Sequence, residues 1–154
     1  MNRLHLFLQR HSLIGIDTCI FIYGVEGNSK YIQAAEAVFS WLERPFHSAV
    51  TSTLTMTECL VGPYRDMDEQ RLNEFYALLS TYPNLQWIAP NLKIADRAAR
   101  IRAEYSLRMP DALQAATAEI AGASGFVTND PIFERLVGFE TLVFDRLLEP
   151  HKSI

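Results

Sequence analysis

Short apolar runs recur along this chain, and a stretch with helical periodicity separates each from the next. The runs fall at 13–16, 48–51, 85–88, 125–128 and 141–144. They read as strands buried on both faces, because a strand with one wet face would alternate apolar with polar residues. Such strands need helical cover on either side, which predicts an α/β fold. The expected architecture is a central parallel sheet of about five short strands, flanked by helices on both faces. A chain of 154 residues suits a single domain.

The intervening segments carry their own punctuation. A helical turn or two is predicted over 18–23, broken by Gly24, Gly27, Asn28 and Ser29. Tyr31, Ala35, Val38, Phe39 and Leu42 recur at helical spacing, and Pro45 ends that helix. A short helix over 54–61 is expected to stop at Gly62-Pro63. Asp66, with Glu69 three residues on, predicts the cap of the next helix. Its inner face would hold Leu72, Phe75, Tyr76 and Leu79. Asn91 caps a helix with an Ile94, Ala98, Ile101 and Tyr105 stripe, and an Ala-rich helix over 111–121 can approach the sheet closely. The domain is read as 13–154, with 1–12 as an N-terminal extension of unassigned role.

Charge removes one class of function. Lys and Arg number 14 against 18 Asp and Glu, a net charge of −4. That excludes holding nucleic acid by bulk positive charge. Cys19 and Cys59 read as small core residues of a reduced, cytoplasmic protein rather than a disulfide framework. No apolar run reaches the ~18 residues that span a bilayer, so no membrane partner is expected.

The informative acids sit at strand ends. Asp17 follows the first strand, Asp130 follows the fourth, Glu58 lies on the helix after the second, and Asp111 opens a helix behind Pro110. Ligands in open parallel sheets bind beyond the carboxyl ends of the strands, near the switch in strand order. Singly, each acid has a structural explanation: a cap, a helix-dipole partner, a turn residue, an exposed helix face. Together they are harder to dismiss, because Asp17 and Glu58 lie in apolar sequence and acids are rarely buried without partners. With no evident basic partner in the local sequence, four like charges in one crevice call for a cation. An all-oxygen set suits Mg²⁺ or Mn²⁺, as one or two ions, and suits phosphodiester hydrolysis.

These residues carry a family resemblance. Ile16-Asp17-Thr18-Cys19-Ile20-Phe21-Ile22-Tyr23 resembles the opening motif of PIN-domain nucleases. Thr55-Met56-Thr57-Glu58-Cys59-Leu60-Val61-Gly62 looks like their second acidic motif. Pro110-Asp111-Ala112-Leu113-Gln114-Ala115-Ala116-Thr117-Ala118 is similar to the third, and Thr128-Asn129-Asp130-Pro131-Ile132-Phe133 to the fourth. Within that family, the small size and the 58–64 stretch resemble the VapC toxins of VapBC toxin–antitoxin pairs. The resemblance implies a Mg²⁺- or Mn²⁺-dependent endoribonuclease that is a homodimer and is inhibited by a VapB-like antitoxin. It implies Asp17, Glu58, Asp111 and Asp130 as catalytic metal-site acids, with Asp17 and Asp111 the first choices for direct ligands. Thr128 would orient Asp17 or Asp130 through its hydroxyl.

An RNA substrate still needs cations against its phosphates. Between Lys93 and Arg108 there are five basic and two acidic residues. Arg97, Arg100 and Arg108 are the candidate RNA-binding residues, on an edge leading to Asp111; an ordinary solvated helix face explains the same pattern. Without the four candidate acids the chain holds 14 acidic and 14 basic residues, so a bound metal plus a local basic edge could attract RNA. Two alternatives stay open: a catalytically inactive PIN-type module that binds RNA or protein, and a receiver-like Mg-binding signalling domain. The latter wants paired acids after the first strand and a late lysine, and Lys30, Lys93 and Lys152 do not fit that role. His5, His11, His47 and His151 lie outside the strand-end motifs, which argues against histidine acid–base cleavage.

Overall fold

A computed structural model describes residues 1–148. The end of the expected 13–154 domain, with His151 and Lys152, lies outside the described residues. Five strands form one sheet: β1 (Leu13–Ile16), β2 (Ser48–Ser52), β3 (Leu85–Ile88), β4 (Gly125–Thr128) and β5 (Glu140–Val143). All pairs are parallel and the order is β3-β2-β1-β4-β5. The chain runs outward from β1 to β3, then returns to place β4 on the other side of β1. The switch in strand order therefore lies between β1 and β4, where a parallel sheet opens a crevice beyond its carboxyl edge.

The helices are α1 (Asn2–Arg10), α2 (Thr18–Glu26), α3 (Ile32–Leu42), α4 (Leu54–Arg65), α5 (Glu69–Thr81), α6 (Leu92–Tyr105), α7 (Met109–Ala121) and α8 (Asp145–Leu148). A 3-10 turn covers Pro131–Arg135. The strands feed two cores because successive side chains point to opposite faces. Ile14, Ile16, Ala49 and Val127 pack with α1 to α5. Val50 and Phe126 pack with α6, α7 and Phe133. Gly15 belongs to the second face, where a Cβ would lie 2.5 Å from Phe126 Cδ2 and 2.9 Å from Ala118 Cβ. Glycine there, with the alanines of α7, lets helix and sheet approach closely.

Several local expectations differ from the structure. α4 passes through Pro63 and ends at Arg65, not at Gly62-Pro63. A proline so near the C-terminus removes one helical bond, and the chain turns only at Met67, whose φ is 50°. The cap of α5 is consequently Asp68, which accepts the Arg71 N–H at 3.0 Å. Asp66 instead pairs with the Arg71 guanidinium at 3.0 Å. Tyr76 is exposed rather than on the inner face with Phe75 and Leu79. β5 begins one residue earlier than expected. Residues 2–10, left without an element by the sequence, form α1, and its Leu4, Phe7 and Leu8 are buried in the first core. Arg10 adds an ion pair to Glu140, and His11 Nε2 lies in hydrogen-bond contact with the same carboxylate at 2.8 Å.

Candidate functional site

Asp17 stands where β1 becomes α2. Its backbone N–H donates to Val127 O at 3.0 Å, which holds the end of β1 against β4. One carboxylate oxygen caps α2 by accepting the Thr18 N–H at 2.8 Å. The other accepts the Thr128 hydroxyl at 2.7 Å. Thr128 Oγ1 in turn accepts the Asp130 N–H at 3.0 Å, so one hydroxyl ties two of the candidate acids together. Asp130 Oδ1 caps the 3-10 turn through the Ile132 N–H at 2.9 Å.

The four acids share one pocket of about 270 Å³, lined also by Thr18, Cys19, Tyr23, Arg108 and Asn129. Asp17 forms its inner part, and burial pushes its carboxyl up to about 6 despite the hydrogen bonds from Thr128 and Thr18. The negative charges of Asp111 and Glu58 raise it further. Asp111 enters from the first turn of α7, with only 16% of its side chain exposed. Glu58 enters from α4 and accepts the Thr18 hydroxyl at 3.1 Å. It lies on the exposed rim, contrary to the burial that its apolar sequence neighbours suggested: those neighbours, Cys59 and Leu60, point into the core.

The expectation that the acids lack a basic partner also fails. Arg108, three residues before Asp111, places its Nε 3.2 Å from Asp111 Oδ2. Its side chain is 79% exposed at the pocket mouth. Arg97 and Arg100 do not line the pocket. Arg97 is drawn to Glu119, near the far end of α7, and Arg100 pairs with Asp96 at 3.1 Å on its own helix. None of the described histidines lines the pocket.

Behind the acids lies a polar layer that the sequence reading did not single out. Thr18, Thr51, Ser52, Thr55 and Gln114 are all buried. Gln114 Nε2 donates to Thr55 Oγ1 at 2.8 Å, Thr51 and Thr55 hydroxyls lie 2.7 Å apart, and Thr51 donates to Ile16 O at 2.9 Å. Gln114 Oε1 accepts the Ser52 N–H at 3.3 Å. The network fixes Thr18, and through it Glu58, while leaving no member unpaired. The available signal was polar residues at core spacing: Gln114 sits on the buried face of an otherwise alanine-lined helix.

The donor set fits a hard divalent cation. Among the described residues, no three His, Cys, Asp or Glu side chains form a group able to hold an ion on their own. Mg²⁺ does not require one, since it keeps several waters and takes one or two carboxylates directly. Asp17 and Asp111 are the inward pair, and a carboxylate whose pKa is raised by burial and like charge gains most from a cation. Beside Asp17, burial and the neighbouring carboxylate push the Cys19 thiol up, so it stays protonated in the absence of a metal.

Comparisons with known proteins bear on the fold and the family. The PIN domain family model matches residues 14–138. No curated protein matches the chain. Solved structures similar to it include the following three. A chain of VapBC2 from Rickettsia felis, bound to a DNA fragment from their promoter, superposes with a TM-score of 0.67 at 20% identity, covering 85% of this chain and 98% of that one. A toxin–antitoxin complex from Klebsiella pneumoniae gives 0.63 at 28% identity, covering 85% and 97%. DNA-bound VapBC from Salmonella typhimurium gives 0.63 at 20% identity, with the same coverage.

Proposed function

Because the chain belongs to the PIN domain family, we propose that it is a divalent-metal-dependent endoribonuclease, acting as the toxin of a toxin–antitoxin pair. The observation that carries the reading is the shared pocket: Asp17, Glu58, Asp111 and Asp130 meet at the switch point of the sheet. A bound Mg²⁺ or Mn²⁺ would activate water and offset charge on the scissile phosphate. Asp17 and Asp111 would hold that ion directly, and Glu58 and Asp130 would accept hydrogen bonds from water beside it. Thr128 keeps Asp17 in position, and the buried Gln114 and Thr55 layer keeps Thr18 and Glu58 in position. Arg108 receives a phosphate of the RNA, so attraction is local despite the net negative charge. Arg97 and Arg100 extend this edge more weakly, since each already has a carboxylate partner.

The partner follows from α4. The helix that carries Glu58 also lines an apolar groove of about 620 Å³ with Met56, Leu60, Val61 and Tyr64. An antitoxin segment seated there would lie along the helix that carries Glu58. The Klebsiella pneumoniae likeness, at 28% identity to a toxin–antitoxin complex, supports such a partner. A homodimer is the assembly we propose for it. Among the described residues no helix is long and apolar enough to cross a membrane.

The test is induced expression in cells with cleavage sites mapped across total RNA. Wild type should arrest growth and create discrete new 5′ ends, and Asp17→Asn should do neither while accumulating as folded protein. Arrest without new RNA ends, or equal arrest by Asp17→Asn, would refute the assignment.

A further inference from the structure

A second cavity, at the other edge of the sheet, has no part in the function proposed above. It lies between α1, α3 and the residue before β2, with a volume of about 80 Å³. The acids lie beyond the carboxyl end of β1, whereas His47 immediately precedes the amino end of β2, and the two strands are parallel. The two cavities therefore open at opposite ends of the strands.

Leu8, Ala37 and Trp41 give the second cavity apolar walls. Trp41 is held in place, its indole N–H donating to Leu8 O at 3.0 Å. The His47 ring packs against the indole with centroids 4.6 Å apart. The polar lining is His5, Gln9, Arg44 and His47, with no carboxylate among the lining residues. Among the described residues, none of these four side chains has a hydrogen bond or ion pair with another residue. His47 Nδ1 is moreover the one buried side-chain nitrogen or oxygen among them without a partner. Native proteins rarely leave such an atom orphaned, so it asks for something that is not protein.

The chemistry of the lining narrows what that is. A guanidinium offers only donors, in a fork that matches tetrahedral oxyanions, and imidazole and amide N–H groups add to it. A metal ion is excluded by the same set, since Arg44 repels it and only two histidines are present. We propose that this cavity binds a phosphate group, with Arg44 supplying the charge and His5, Gln9 and His47 the remaining hydrogen bonds. Half of the site comes from α1, which precedes the family match at residues 14–138. The site thus depends on α1 as well as on α3 and the segment that follows it, and it adds an anion-binding point remote from the acids.

The test uses the full chain in EDTA, with inorganic phosphate as the probe, followed by calorimetry and by imidazole NMR resonances. Saturable binding no weaker than a Kd of about 10 mM is expected, with His5 and His47 resonances moving. Arg44→Gln, an exposed position, should weaken it at least tenfold, and Asp17→Asn should leave it unchanged. A short RNA with a 5′-phosphate is then compared with its 5′-hydroxyl twin. Preference for the former assigns the site to RNA ends, and equal binding assigns it to free phosphate or small phosphate esters. No saturable binding would overturn the proposal, leaving a hydrated cavity, as would unaltered binding by Arg44→Gln in a folded protein.

Discussion

Replacing Asp17 by Asn should stabilise the metal-free protein while destroying its activity. The folded carboxyl is pushed up to about 6 from its ordinary value of 3.8. A buried acid with a raised pKa binds its proton more tightly folded than unfolded. Relative to a neutral side chain it costs nothing below about pH 3.8, where both states hold the proton; the cost grows as pH rises to about 6 and is constant above that. The interval corresponds to about 3 kcal/mol at pH 8. Asn removes that cost and keeps the oxygen that accepts the Thr18 N–H. Its amide must reverse the bond from the Thr128 hydroxyl, costing about 1 kcal/mol. The net gain is therefore about 2 kcal/mol at pH 8, a shift of about 1 M in the urea midpoint. Urea unfolding in EDTA at pH 8 and pH 4, on both proteins, measures it. The advantage should vanish at pH 4. An Asn variant less stable at pH 8, or a difference independent of pH, would refute the placement of an ionisable, desolvated Asp17. Added Mg²⁺ should then raise the wild-type midpoint only, because ligand binding stabilises the state that binds it.

Other expectations concern the residues around the acids. Thr128→Val removes the donor to Asp17 and the acceptor of the Asp130 N–H, and should lower cleavage about 10–100-fold with little change in fold, by steady-state kinetics and circular dichroism. Gly15→Ala drives a Cβ into Phe126 and Ala118 and should cost about 1–3 kcal/mol, read by thermal or urea unfolding; a neutral result would mean that α7 packs less tightly than described. Arg108→Ala should reduce the slope of log K for RNA against log salt by about 1. The Arg97→Ala, Arg100→Ala pair should change it less, because Glu119 and Asp96 already hold those charges; the reverse ranking would move the RNA path onto α6.

Much of the scaffold was legible because its signals are local. Strand ends at Asp17 and after Thr128 follow from apolar runs and their first polar residues, and the helix caps Asp17 and Asn91 follow from side-chain chemistry. What failed was local signal overridden by context. Gly62-Pro63 reads as a stop, yet the helix has turns enough left to absorb one lost bond. Asp66 and Asp68 are both plausible caps, and only the left-handed Met67 between them decides. Residues 1–12 carry too short an apolar pattern to declare a helix, though Leu4, Phe7 and Leu8 are separated at helical spacing and are buried. In the candidate site, the four acids were identified by motif, but their surroundings were not. The exposure of Glu58, the Arg108–Asp111 pair and the Gln114 network depend on contacts between distant segments, which a periodicity argument does not reach.

The central claim is that these acids hold a cation that cuts RNA. It is tested most directly by end-group analysis of a labelled RNA incubated with the purified chain, in Mg²⁺ and in EDTA, beside Asp17→Asn and Asp111→Asn. Metal-activated water leaves 5′-phosphate and 3′-hydroxyl ends. Such ends are expected with wild type in Mg²⁺ alone, and intact RNA in the other lanes. Cyclic-phosphate ends, or equal cleavage in EDTA, would contradict the account.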